Sequence, residues 1–377
     1  MRKWAKHLHL WLSVPFGLII TLICFSGAML VFEDEASEWL YPERYYTNHG
    51  ATATPLPLST LMGTVAAALP DSVAITGVTI PAEEGRTYQV SLSKPRRATL
   101  AVDPYTGEVK GRMERNAFFS TIFRLHRWLL GSMRPGYGGV AWGKMLTGTA
   151  TLLFVFVLLS GLWIWWPRNR KALKARLKLS ATKGWKRFWY DTHVVGGFYA
   201  FLLLLVMSLT ALTWSFGWYR TGFYKLFGVE LAQHTGGRGG GGSHGGGGGQ
   251  RGPAAAPYAQ WQVAYDELRR QNPTAQSIRI GDGTASVALG GYGNKLAADR
   301  YTFDPRTGDI ADVSRYREQA KPDKIFGWIY SVHIGSWGGT LTRVLWFLAA
   351  LLGATMPLTG YYFWIKRLAR KRKKTPR

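Results

Sequence analysis

The chain has 377 residues, is 47% hydrophobic and carries a formal charge of +25. A surplus that large first suggests nucleic acid, but its position excludes that partner, because the basic tracts flank long apolar runs. Four such runs reach the ~20 residues needed to cross a ~30 Å hydrocarbon core, so the chain reads as a membrane protein.

Residues 1–33 are the first predicted transmembrane helix, with its apolar run at 10–32 (LWLSVPFGLIITLICFSGAMLVF). That run is too long for a signal-peptide core and no small-x-small cleavage site follows it, so an uncleaved anchor is expected. Cys24, the only cysteine, lies within it. The exported parts therefore lack disulfides, and covalent haem attachment through C-x-x-C-H is excluded. Residues 34–116 read as a small α+β domain: a helix over 56–69, then strands at 74–80, 87–93 and 98–103. In AVDPYTGEVKG (101–111), Pro presets the first turn position and Gly takes the left-handed one, which closes a hairpin.

Residues 117–167 join a histidine-bearing segment, STIFRLHRWLLG (120–131), to the second span at 141–166. His126 stands there on an apolar stripe of Phe119, Ile122, Phe123 and Leu129. A basic loop (168–189) leads to residues 190–217, where His193 opens the third span at 194–216. Residues 218–255 contain GGRGGGGSHGGGGGQRG (236–252), a flexible linker by composition, in which a lone His244 is a poor ligand set. Residues 256–322 read as a second α+β domain, with a helix near 258–271 and strands around 276–280, 285–289 and 299–304. Residues 323–366 place His333, on the stripe Phe326 and Ile329, ahead of the fourth span at 340–365, and a basic tail (367–377) follows.

The charge reports topology. Residues 1–9 carry Arg2, Lys3 and Lys6; 167–189 carry nine Lys or Arg and 366–377 eight, with no Asp or Glu in any of the three. Short basic loops stay cytoplasmic, so both termini and the middle loop are expected inside, with about 33–140 and 217–339 outside. The halves also repeat. AVDPYTGEVKG returns as TFDPRTGDIAD (302–312), SGLWIWWPRNRK (160–171) as TGYYFWIKRLARK (359–371), and His9 with Phe32 matches His193 with Phe216 in spacing. A pseudo-twofold bundle is expected.

At ~100° per residue, Ser13, Gly17, Cys24 and Gly27 fall on the face of His9, and His7 points nearly opposite. Gly196, Gly197, Ala200, Ser208 and Ala211 fall around His193 in the same way. Small residues let helices approach closely in lipid, or make room for a flat cofactor. Each histidine alone also fits an interfacial residue bonded to a neighbouring helix end. Four at matching places point further, because polar groups at membrane depth are costly and tend to be functional. Zinc wants a compact cluster with cysteine or carboxylate help, and no Asp or Glu lies inside the apolar runs. Two imidazoles from facing helices can instead supply both axial ligands of a haem. The expected pairs are His9 with His193 at the cytoplasmic face and His126 with His333 at the outer face, for two non-covalent haem b groups. Arg124 and Arg127 are candidates to hold haem carboxylates by charge-assisted bonds, or else snorkel to the headgroups. Trp163, Trp165 and Trp166 read mainly as an interfacial belt.

The DPYTG and DPRTG turns, LHRWLLG, VHIGSWGG, DTHVVGGFYAF and the SG and TG near the helix ends resemble the PepSY-associated transmembrane proteins. The resemblance covers nearly the whole chain apart from the glycine linker. That family includes FoxB-like ferric-siderophore reductases of the bacterial inner membrane. The resemblance implies a membrane α-helical fold of four transmembrane helices in two pseudo-twofold repeats, with two small periplasmic α+β (PepSY-like) domains. It implies haem-dependent reduction of ferric siderophore for iron uptake, with His9, His126, His193 and His333 as ligands carried over by motif. VHIGSWGG lacks the HRW of the first copy, and the glycine-rich insert has no counterpart in the family pattern.

The implied partners are a ferric siderophore, membrane lipid and an electron donor, either quinol or a separate flavoprotein. The inner loop of about 23 residues is too short for a nucleotide-binding βαβ unit. Two rival readings stay open. A non-haem siderophore or iron permease would be expected to show broken helices or intramembrane carboxylates. A membrane-anchored sensor or binding module would need no cofactor.

Overall fold

The structure is a computed structural model that describes residues 2–48, 53–131, 141–180, 182, 184–231 and 258–372. His244, the glycine-rich tract and the last residues of the basic tail lie outside the described residues.

Among the described residues four helices are long and apolar enough to cross a membrane, Lys3–Leu30, Trp142–Trp165, Trp185–Ser215 and Ser336–Arg370, so the chain is a membrane protein. The first is α1 (Arg2–Leu30), which runs unbroken through Pro15. It is followed by α2 (Glu33–Leu40) and α3 (Pro42–Tyr45), which lead to α4 (Leu58–Ala67) and the first four strands. Those are β1 (Ile75–Pro81), β2 (Tyr88–Leu92), β3 (Thr99–Val102) and β4 (Val109–Arg112). Next come α5 (Ala117–Trp128), the second span α6 (Trp142–Trp165) and α7 (Arg170–Arg176). The third span joins α8 (Trp185–Asp191) through a wide π-turn, Thr192–Gly196, to α9 (Gly197–Ser215). Beyond α10 (Gly217–Lys225) stand α11 (Ala259–Gln271), β5 (Ser277–Gly281), β6 (Thr284–Ala288), β7 (Ala298–Phe303) and β8 (Ile310–Ser314). Finally α12 (Lys321–Ile334) and a short 3₁₀ turn, Ser336–Gly338, enter the fourth span α13 (Gly339–Arg372), which continues through Pro357.

In the bundle α1 packs against α6 and α13, and α9 packs against the same two helices. Their shared core is Ile20, Ala150, Phe154, Val157, Ala200, Leu204 and Ala349. Alanines at three of these places let the backbones approach, the usual means of close packing in lipid.

The strands form one antiparallel sheet in the order β4-β3-β2-β1-β5-β6-β7-β8. The two α+β units therefore do not stand apart. They join where β1 pairs with β5, Val78 opposite Ile280. This union removes two open sheet edges that would otherwise expose unpaired backbone groups. Helices α4 and α11 lie together on one face, and Leu61, Met62, Val78, Val90, Leu268, Ile278, Ile280 and Val287 from both units fill a single core. The Leu58 amide donates to Gln262 Oε1 at 2.8 Å, a further tie between the halves.

Each D-P-x-T-G segment closes its hairpin in the same way. The Asp103 side chain accepts from the Tyr105 amide at 2.9 Å, and Asp304 from the Arg306 amide at 2.8 Å. Gly107 and Gly308 sit at φ 78° and 84°, the left-handed region that glycine enters without steric cost.

Candidate functional site

Short helices just outside the spans carry one histidine pair. The Asn116 side chain accepts from the Phe119 amide at 2.8 Å and so caps α5. The helix ends two residues after His126, where Leu129 and Leu130 turn left-handed at φ 48° and 66°. On the other side α12 ends one residue after His333 and is capped by left-handed Gly335. The structure brings the His126 and His333 rings to 6.3 Å between centroids, with planes at 49°. His126 Nδ1 contacts the Ile23 carbonyl of α1 at 2.9 Å and Ser26 Oγ at 3.4 Å. His333 Nδ1 contacts the Met207 carbonyl of α9 and Thr210 Oγ1, both at 3.1 Å. The edge of Trp214 meets the His333 ring at 5.1 Å.

The second pair lies at the other end of the bundle, near the basic loop. His9 and His193 are 6.5 Å apart between ring centroids, with planes at 81°. His9 Nδ1 lies 3.1 Å from both the Val157 carbonyl and Ser160 Oγ of α6. His193 Nδ1 lies 2.8 Å from Thr359 Oγ1 of α13. The π-turn that carries His193 adds a residue to the helical circuit, a local device often found at functional sites. His7 is exposed, with its Nδ1 on the Lys3 carbonyl at 2.8 Å, and takes no part in either pair.

All the described hydrogen bonds to these four rings fall on Nδ1, which leaves Nε2 of each for a ligand. An iron between two imidazole nitrogens, each about 2 Å away, sets ring centroids roughly 6 Å apart. Both pairs fit that spacing. Among the described residues no group of three or more His, Cys, Asp or Glu could hold a bare metal ion. Two facing imidazoles are a donor set of the kind that fits one haem per pair.

A cavity of about 960 Å³ runs from His126 and His333 to the underside of the sheet, reaching Gln276 and Asn294. Arg127 lines it and lies over the Phe123 and Trp128 rings at 5.5 and 5.3 Å. Arg124 does not join it. Its guanidinium instead donates to the Leu130 carbonyl at 2.8 Å, which ties down the end of its own helix. At ~100° per residue Arg127 lies about 100° round the helix from His126 and Arg124 about 160°, so Arg127 is the one on the cavity side and Arg124 turns away.

Sequence reasoning missed the other cations at this cavity, Arg115, Lys144, Lys295 and Arg343, since none lies near a histidine in the chain. Three of them are paired: Arg115 with Glu33, Lys295 with Asp34 at 3.0 Å, and Arg343 with Glu35. It also missed the indole N–H of Trp346, which lines the cavity and is buried without a partner. The hydroxyls beside each Nδ1 went unread too, although the repeated SG and TG pairs marked three of them.

Comparison with curated proteins gives no match. The model of the family described as the PepSY-associated TM region matches residues 6–367. That stretch takes in the sheet, all four histidines and nearly the full length of the four spans, and the chain belongs to this family.

Proposed function

We propose that the protein is a b-type haem oxidoreductase of the bacterial inner membrane that carries electrons outward to reduce periplasmic ferric siderophore. The observation that carries this reading is the pair of imidazole couples, 6.5 and 6.3 Å between ring centroids, at opposite ends of one four-span bundle. His9 and Ile23, whose carbonyl holds His126, are separated on α1 by roughly 20 Å at 1.5 Å per residue. His193 in the π-turn and Met207 on α9 are the same number of residues apart along the third span. One couple therefore falls toward each face of a ~30 Å core.

When bound, haem b supplies reversible one-electron exchange at each couple. The four imidazoles would hold the iron through Nε2, since Nδ1 of each is engaged by a neighbouring helix. Ile20, Phe154 and Leu204 form the apolar core between the couples and line the inner end of the cavity that reaches His126 and His333. Arg127 stands where it can neutralise a haem carboxylate. By the positive-inside rule the basic loop faces the cytoplasm, where a quinol or separate flavoprotein gives up electrons, and the sheet faces the periplasm. Each electron delivered converts one chelated ferric ion to ferrous. The softer ferrous ion is held less tightly by hard oxygen ligands, and the metal is released. Both proline-bearing spans are continuous, which gives no support to a permease built on broken helices.

The test is donor-driven reduction of an external ferric chelate by proteoliposomes, scored with a ferrous-specific dye. Wild-type protein should reduce it and His126→Ala should not, while the haem at His9 and His193 stays spectrally intact. Reduction by His126→Ala at the wild-type rate with full haem content would overturn the reading.

A further inference from the structure

Each of the four imidazoles rests on the same local arrangement of a facing helix: a carbonyl, a hydroxyl three residues later, then a small residue. The sets are Ile23, Ser26, Gly27; Val157, Ser160, Gly161; Met207, Thr210, Ala211; and Met356, Thr359, Gly360. In every set the hydroxyl lies within 3.1 Å of that carbonyl of its own helix. The distances are 3.1 Å for Ser26, 2.9 Å for Ser160 and Thr210, and 2.8 Å for Thr359. A hydroxyl has one proton, and here the helix backbone takes it. The oxygen can then offer the histidine only a lone pair. The carbonyl is also an acceptor with a second lone pair, and in three sets it too reaches Nδ1, at 2.9 Å from Ile23 and 3.1 Å from Val157 and Met207. Nδ1 thus faces acceptors alone, and it is the nitrogen that must carry the proton.

We infer that Ser26, Ser160, Thr210 and Thr359 are positioning residues that fix each histidine as the Nδ1–H tautomer and leave its Nε2 bare. The small residue that follows lets the ring edge settle against the helix. A Cβ at Gly27 would stand 2.9 Å from His126 Cε1, and at Gly161 3.3 Å from His9 Cε1. A ligating imidazole that donates its other N–H is oriented and made more basic, and loss of such a partner typically weakens metal binding 10- to 100-fold. The shortest of these contacts is Thr359 to His193, at 2.8 Å, and the longest Ser26 to His126, at 3.4 Å. Removing the hydroxyl should therefore matter most at His193. The tautomer follows from the hydrogen bonds alone; its effect on haem rests on the proposed function.

Two measurements test this. Isotope-edited NMR of the haem-free, histidine-labelled full chain should find His193 with its proton on Nδ1; a proton on Nε2 would overturn the inference. Haem loss is then compared in loaded wild type, Thr359→Val and Thr359→Ser. The valine keeps the shape and removes only the oxygen, so haem at His9 and His193 should leave about tenfold faster, haem at His126 and His333 should not change, and serine should restore retention. Wild-type loss rates and spectra in Thr359→Val would overturn it. If wild-type protein binds no haem, the proposed function falls, and the tautomer measurement still decides this inference.

Discussion

Gly27 of α1 lies directly against the His126 ring: a Cβ built there would stand 2.9 Å from Cε1 and 3.3 Å from Nδ1. An imidazole ring is rigid and has no flexible end that could yield. Gly27→Ala should push the imidazole off the Ile23 carbonyl and lower haem at the His126–His333 site by more than half, leaving the other site filled. The control is Gly63→Ala at an exposed position of α4, where a Cβ meets nothing within 4 Å. That change should be neutral or stabilising by up to about 1 kcal/mol through helix propensity. Equal haem content in both variants would contradict the placement of His126.

The single core under the sheet makes a second prediction. Ile280 is fully buried opposite Val78 at the junction of β1 and β5. Ile280→Ala should cost about 2–5 kcal/mol through lost burial and the cavity left behind. Because the core is shared, amide exchange should accelerate in α4 and β2 of the first unit as well as in β6. Unchanged protection in the first unit would mean that the two halves are stabilised independently.

Arg343 at the start of α13 grips both carboxylate oxygens of Glu35 and the Val31 carbonyl, which ties the fourth span to the end of the first. The Arg343 hydrogen bonds hold the Glu35 carboxyl below its ordinary value of 4.5. A carboxyl depressed on folding stabilises above its unfolded value, and the contribution is lost as pH falls through the lower folded value. Glu35 is half exposed, so solvent screening keeps the contribution under about 1 kcal/mol. Thermal unfolding of wild type should therefore drop more steeply with acid below about pH 4.5 than that of Glu35→Gln. Identical acid slopes would show that the ion pair adds nothing.

Topology is open to reporter fusions after residues 60, 178 and 280. These should report outside, inside and outside, since 178 lies in the basic loop and the other two in the sheet unit. External activity at 178 would reverse the electron path.

Much of this architecture was legible in the sequence because its signals are local. The spans show in hydropathy, and the helices and strands of the α+β units lie within a few residues of their expected places. The hairpins at Asp103 and Asp304 follow from Pro and Gly chemistry, although β4 and β8 were not read as strands beyond them. What stayed hidden was relational. Val78 and Ile280 each look like ordinary strand residues, and nothing near either one announces that they pair across some two hundred positions. Helical phase put His9 and His7 on opposite sides, but the extra residue of the π-turn at His193 breaks regular phase and cannot be counted from periodicity. Arg124 and Arg127 flank His126 alike in the sequence, but phase turns Arg124 away from the histidine's face, and the helix end at Leu129 gives it the Leu130 carbonyl to bind.

The central claim is that the two histidine pairs each hold one haem. It is tested most directly by counting extractable haem per chain, with reduced-minus-oxidised spectra, in purified wild type, His9→Ala and His126→Ala. The account predicts two haems in the wild type and one in each variant, with a different one missing in each. Wild-type protein free of haem after expression with ample haem, or variants that keep both, would contradict it.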